Sequence, residues 1–300
     1  MRTFSIAGLQ LDVGKGDNVA RICAEIRAAK KRLPWVDMIV VGELSAYGPA
    51  TTNAEPRDGR AESEFRSVAR EMNVWLIPGS LFERSGDAIY NTTPVIAPDG
   101  SIVTRYRKMY PFYPYEEGVT PGDAFGVFDV PGVGRFGLSI CYDIWFPEIT
   151  RTLAFQGVEV VINPSLTNTI DREVELSIVR ANAAMNQCYV FNVNCAGDLG
   201  FGRSIVCGPG GEVMYQAGTS REIFALELDL DVAARVRERG WHGLGQVLKS
   251  FRDNKIQFPP YAEGARSETF EALGPLEKLG AEQRGEQSAS GTPQLRVAKT

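Results

Sequence analysis

Over residues 3–11 apolar and polar side chains alternate with a period of two, which predicts a strand. Asp17 stands ahead of Val19, Ile22, Cys23, Ile26, Ala29 and Leu33, spaced by three and four, so a capped helix is predicted next. Met38-Ile39-Val40-Val41 has the β-branched, uninterrupted character of a short buried strand. A helix over about 61–72 and a strand over 74–82 follow. Turns at Pro98-Asp99-Gly100 and Pro131-Gly132 then divide strand-like segments into hairpins. Residues 136–140 read as a strand ending at Cys141, 146–156 as a helix, 158–162 as a strand, 172–186 as a helix and 188–194 as a strand. Gly208-Pro209-Gly210-Gly211 turns a late hairpin, before a strand at 223–228 and a short helix at 232–239. Strands alternating with helices, yet interrupted by hairpins, predict an α/β chain with mixed sheets. Past Gly264 apolar residues become sparse. The expected division is a folded domain over 1–263 and an extended or disordered tail over 264–300, available for use between subunits.

Composition narrows the function classes. With 44% hydrophobic and 23% charged residues among 300, the chain can bury a sizeable core. The net charge of −5 is spread evenly and no block of Lys/Arg occurs, which argues against nucleic acid or an anionic membrane as partner. No run of 18 apolar residues is present, and the first residues read as a strand, not a signal peptide. Five cysteines, an odd number without a CxxC pair, suit free thiols in a reducing cytoplasm. His242 is the single histidine, which excludes mechanisms built on two or three imidazoles and a His-rich metal site. No metal or cofactor is expected.

Three strand ends carry reactive side chains, where α/β folds build their sites. Residues 39–42 deliver Glu43, residues 102–106 lead to Arg107 and Lys108, and residues 137–140 deliver Cys141. A thiolate, not a thiol, is the nucleophile, and a helix N-terminus and a nearby ammonium both favour it. Glu43 can take the thiol proton and return it to a departing amine. Lys108 can stabilise an oxyanion beside backbone N–H groups of the strand-to-helix turn. Singly, such a cysteine is more often a packed core thiol, and such a glutamate or lysine a solvated terminus. The joint pattern carries the reading.

Glu43 in Val-Val-Gly-Glu-Leu-Ser, Lys108 in Tyr-Arg-Lys-Met-Tyr-Pro and Cys141 in Gly-Leu-Ser-Ile-Cys-Tyr-Asp-Ile-Trp-Phe-Pro-Glu resemble the three signature blocks of the nitrilase superfamily, in order and separation. The resemblance extends from about residue 3 to 255, through Val160–Ser165 and Arg180-Ala-Asn-Ala. It implies a four-layer αββα sandwich with two mixed sheets. It implies subunits paired as a homodimer or higher homo-oligomer. It also implies attack by Cys141 on a small amide, release of ammonia and hydrolysis of the thioester by water activated by Glu43.

Tyr142-Asp143 after the cysteine resembles the amidase branches; true nitrilases carry Trp-Glu there, and the family's carbamoylases use several histidines. The stretch from Lys108 to Gly118 is similar to the loop of aliphatic amidases and formamidases, in which a second glutamate positions substrate and lysine. Glu116 is the favoured counterpart and Glu117 the alternative, one residue being inserted. Tyr113, Tyr142, Trp145 and Asn163 join Glu117 as expected substrate contacts, and the aromatic content suggests an apolar or aromatic acyl group. Nitrile or N-carbamoyl hydrolysis, acyl transfer from the same thioester, and a non-catalytic scaffold are the competing readings. Gly132-Val-Gly-Arg-Phe-Gly137 matches a dinucleotide fingerprint only in letters, since it sits in a hairpin and leads into a strand.

Overall fold

The computed structural model describes residues 1–113 and 115–276. One sheet holds β1 (Thr3–Gln10), β2 (Met38–Val41), β3 (Glu55–Pro56), β4 (Trp75–Ile77), β5 (Leu81–Ser85), β6 (Ala88–Ile96) and β7 (Ile102–Arg107). The second holds β8 (Gly126–Val130), β9 (Gly134–Leu138), β10 (Val160–Ser165), β11 (Tyr189–Asn194), β12 (Ile205–Cys207) and β13 (Val213–Gln216). The chain then returns to the first sheet as β14 (Glu222–Asp229), antiparallel to β1. Both sheets are mixed, as expected. In the first, β1, β2 and β4 run parallel; in the second, β9, β10 and β11 do. Hairpins occupy the flanks: β5–β6 and β6–β7 in one sheet, β8–β9 and β12–β13 in the other.

The pleat builds the layers, because successive residues of a strand face opposite ways. In β2, Met38 and Val40 join Phe4, Phe136, Leu138, Ile162 and Phe191 between the sheets. Ile39 and Val41 point outward and meet Ile22 and Ile26 of α1 (Val19–Arg32) and Phe65 and Val68 of α2 (Arg60–Met72). The second sheet repeats this with Val161 and Val190. These meet Leu153 of α3 (Pro147–Phe155) and Val179 and Ala183 of α4 (Asp171–Asn186). The result is a helix–sheet–sheet–helix sandwich of four layers. Each fully buried Ile or Phe in it contributes about 1.5–3 kcal/mol.

The helical stripe read from the sequence is the buried face of α1: Val19, Ile22, Cys23, Ile26 and Ala29. Asn18, not the expected Asp17, occupies the cap position, and it makes no side-chain cap bond; the Asp17 carboxylate, one residue earlier, accepts the Val19 N–H at 3.1 Å. After β14 come α5 (Leu230–Arg239) and α6 (Val247–Asp253). The chain divides into a main body, Met1–Pro111 with Gly118–Lys255, and a second compact unit joining Phe112–Glu117 to the chain from Ile256. In that unit, the described part of the expected tail is exposed and contains one short helix, α7 (Glu268–Glu271), capped by the Ser267 side chain. The remainder of the expected tail, 277–300, lies outside the described residues.

One expectation is corrected. Residues 74–82 do not form a single strand; β4 and β5 are separated by Pro78-Gly79-Ser80. Gly79 adopts φ +81°, and a Cβ there would overlap the carbonyl oxygen of Gly42. The Thr93 hydroxyl also donates to the Gly79 carbonyl. Ser80 Oγ accepts the Leu44 N–H at 3.2 Å. The break therefore lets the chain close against the residues on either side of Glu43. A methyl group at Gly79 would meet both an unfavourable φ and backbone that cannot yield. Gly79→Ala is expected to lose about 2 kcal/mol or more of stability, read as a lowered midpoint in urea unfolding.

Candidate active site

The ends of β2, β7 and β9 converge. Lys108 Nζ lies 2.8 Å from Glu43 Oε1, with the two side chains 1% and 4% exposed. Asn91 of β6 serves both partners. Its side-chain N–H donates to Glu43 Oε1 at 2.9 Å, and its carbonyl accepts the Lys108 backbone N–H at 2.8 Å. The Glu43 N–H reaches across to the second sheet and donates to the Ser165 carbonyl at 3.1 Å. Cys195, buried beneath, sits so close that a Cβ on Gly42 would lie 2.6 Å from its sulfur, which explains why a glycine precedes Glu43.

Cys141 opens a 3-10 turn over Cys141–Trp145, with φ +45°, a backbone region that side chains rarely adopt and that costs of order 1–3 kcal/mol. The expected helix begins six residues later, at Pro147, so the turn itself, not α3, presents the sulfur. Asp143 holds the turn. Its carboxylate accepts N–H bonds from Ile140 at 2.8 Å and Tyr110 at 2.9 Å, and an O–H bond from Tyr106 at 2.7 Å. Tyr106 is two residues before Lys108, so one carboxylate ties the cysteine turn to the lysine strand. Burial raises Asp143 to about 6, against the pull of Lys108 and its three donors.

Burial, and then the Glu43 carboxylate, push the Cys141 thiol well above its ordinary value; Lys108 and the Leu166 N–H act the other way. The sulfur also lies 3.6 Å from the Thr167 hydroxyl. Both of the larger effects favour the thiol over the thiolate. Cys141 is partly exposed, whereas Cys23, Cys188, Cys195 and Cys207 are buried.

Of the other expected site residues, Tyr142 and Trp145 are half-buried beside the cysteine, with ring centroids 6.0 Å apart. Phe146 stacks on Tyr110 at 3.5 Å and meets Tyr142 edge-on at 5.2 Å, so these aromatics form one wall. Glu116 is half-buried and accepts the Phe112 N–H within Phe112–Glu117; Tyr113 is half-buried and Glu117 exposed on the same segment. Asn163 corrects the expectation that it touches substrate. It is fully buried, its amide donating to Ser139 at 2.9 Å and its oxygen accepting from Ser165 at 3.1 Å and Asn192 at 2.6 Å. It braces the strand ends under the site.

That brace continues to residues the sequence did not single out. Asn192 accepts from Arg172 at 2.7 Å, and Arg172 pairs with Glu175 at 2.6 Å, both charges fully buried on α4. Arg172 also donates to the carbonyls of Gly202 and Arg203. Thr167, Arg172 and Glu175 carried no motif, and Asn91 stood only in Asn91-Thr92-Thr93, which has the letters of a glycosylation acceptor. Among the described residues no cluster of His, Cys, Asp and Glu has the arrangement of a metal site, and no helix is long and apolar enough to cross a membrane.

Two measurements test this geometry. Iodoacetamide should modify Cys141 alone in the folded protein, read by peptide mass spectrometry; equal labelling of all five thiols would contradict the burial pattern. Removing the negative charge favours the thiolate, so Glu43→Gln should move the pH midpoint of Cys141 alkylation downward, and Lys108→Met upward.

A carbon-nitrogen hydrolase family model matches residues 6–238. Omega-amidase NIT2 of Bos taurus is 32% identical over 258 residues, covering 80% of this chain and 93% of its own, and the Homo sapiens protein of that name has the same identity and coverage. Among solved structures, Saccharomyces cerevisiae Nit3, described as a member of branch 10 of the nitrilase superfamily, superposes with a TM-score of 0.73. It is 28% identical, and the match covers 79% of this chain and 94% of that one. A carbon-nitrogen hydrolase from Helicobacter pylori superposes with a TM-score of 0.71 at 27% identity, covering 85% of this chain and 96% of that one. With the matched region spanning both sheets and the strand ends that carry Glu43, Lys108 and Cys141, the chain belongs to the carbon-nitrogen hydrolase family, within the nitrilase superfamily.

Proposed function

We propose that the protein is an amidase that splits a small carboxylic amide into carboxylate and ammonia through a thioester on Cys141. The observation that carries this reading is the buried Glu43–Lys108 pair acting on the one partly exposed cysteine. Glu43 takes the thiol proton as the sulfur adds to the amide carbon. Lys108 stabilises the oxygen that gains charge, and the backbone N–H groups of the turn after Cys141 can share that task. When the carbon–nitrogen bond breaks, Glu43 returns the proton to the nitrogen and ammonia leaves. A water molecule then gives its proton to Glu43 and adds to the thioester, and the sulfur departs with that proton. The omega-amidases among the relatives support an amide as substrate.

Glu116 is assigned the second glutamate role, supported by its partial burial and its hold on the Phe112 N–H, with Glu117 the exposed alternative. Tyr142 and Trp145, packed with Phe146, support an apolar flank for the acyl group, with Tyr113 a further contact. We also infer a reducing cytoplasm, supported by five cysteines without a disulfide. The family resemblance supports a homodimer or larger homo-oligomer.

Ammonia release is to be measured across aliphatic, aromatic and ω-amides with the matching nitriles. Amides should turn over and nitriles should not. Cys141→Ala, Glu43→Gln and Lys108→Ala should each lose roughly a hundredfold or more in kcat/KM. Near-normal turnover by Cys141→Ala, or nitrile activity above amide activity, would overturn the assignment. Acetamide turnover far above that of aryl amides would reject the apolar flank.

A further inference from the structure

We propose that Thr167 is a further catalytic residue of this site, its hydroxyl donating to the Cys141 sulfur once Glu43 has taken the thiol proton; this rests on the thioester reading above. The Thr167 Oγ1 to Cys141 Sγ distance is 3.6 Å, within hydrogen-bond reach of sulfur. In the resting thiol either group can donate. After deprotonation the sulfur offers only lone pairs, and the threonine O–H turns to it. The threonine keeps its own proton, so the single proton moved is the one passing from sulfur to the Glu43 carboxylate.

The hydroxyl is aimed by a clamp. The Thr167 backbone N–H donates to Asn194 Oδ1 at 2.9 Å, and its carbonyl accepts from Asn194 Nδ2 at 3.0 Å. Asn194 is fully buried and fixed in turn. Its Nδ2 also donates to the Gly202 carbonyl at 2.9 Å, and its backbone N–H to Ser204 Oγ at 2.9 Å. With the backbone pinned on both sides, rotation about the Cα–Cβ bond is all that remains to place the oxygen.

Neighbouring residues point the same way. The Leu166 N–H acts on the sulfur, and the Ser165 carbonyl accepts the Glu43 N–H at 3.1 Å. Three consecutive residues at the end of β10 therefore address the acid and the nucleophile together. Burial and the adjacent Glu43 carboxylate both oppose a negative sulfur, and a fixed hydroxyl donor offsets part of that opposition. Such a donor gains most as the charge appears.

The test is the pH dependence of Cys141 alkylation by iodoacetamide in wild type, Thr167→Val and Thr167→Ser, with thermal melts to establish folding. Valine keeps the branched shape without the hydroxyl, and serine keeps the hydroxyl. Valine should move the alkylation midpoint upward by about one pH unit and lower kcat/KM on an amide at pH 7 by about tenfold, with serine restoring both. If valine disturbs folding, Thr167→Ala takes its place in the same comparison. A folded valine or alanine variant whose profile superposes on wild type overturns the proposal, as does an equal shift in the serine variant. Alkylation needs no amide. A shifted profile in a protein inactive on every amide would therefore count against the amidase reading alone, and an unshifted one in an active enzyme against Thr167 alone.

Discussion

The site depends on a carboxylate and an ammonium held together out of water. Glu43 and Lys108 are almost wholly buried and 2.8 Å apart. Removing each charge from water costs several kcal/mol, and the loss is offset only when geometry is good and the remaining polar atoms find partners. The fold meets that condition through Asn91, which bonds the acid by its side chain and the lysine backbone by its carbonyl. Neither partner can be removed without stranding the other, so the same contact that orients the chemistry also constrains the strands.

The neighbouring turn faces a related demand. A nucleophile at φ +45° is strained, and Asp143 holds it there by gathering donors from Ile140, Tyr110 and Tyr106. That carboxylate is itself buried and raised to about 6, so its ionised form is disfavoured in the fold relative to the unfolded chain. Its contribution to stability is accordingly greatest in acid, below the unfolded pKa near 4, and declines as pH rises through about 6. At neutral pH the turn is maintained against a desolvation cost that the three donors and Lys108 reduce.

Under the strand ends lies a continuous polar layer, from Ser139 through Asn163, Ser165 and Asn192 to the buried Arg172–Glu175 pair. Apolar residues could fill this volume. Hydrogen bonds, unlike apolar contacts, are directional, and here they fix the relative positions of β9, β10 and β11 where Cys141 and Thr167 emerge. A nucleophile that must lie within bonding reach of a base gains from such rigidity.

Much of this was legible in the chain. Helical spacing marked the buried face of α1, and an uninterrupted apolar run marked β2, which packs on both faces; the alternation over 3–11 located β1 although the fold covers both of its faces too. The motifs around Glu43, Lys108 and Cys141 pointed to the chemistry because their residue types have few other uses in that order. The sequence could not reveal the break at Gly79, because its cause is the carbonyl of Gly42, 37 residues earlier, brought close only by folding. Asn163 looked like a substrate contact because it ends a strand beside the motif, and only the pairing of β10 with β9 and β11 turned its amide inward. The roles of Asn91, Thr167, Arg172 and Glu175 were hidden for the same reason: a polar side chain has no periodic signature, and its partners are chosen by tertiary packing. What the amino-acid order determined was the elements and the reactive groups. What the fold alone decided was which of those groups share a dry space, because desolvation and hydrogen bonding depend on neighbours distant along the chain.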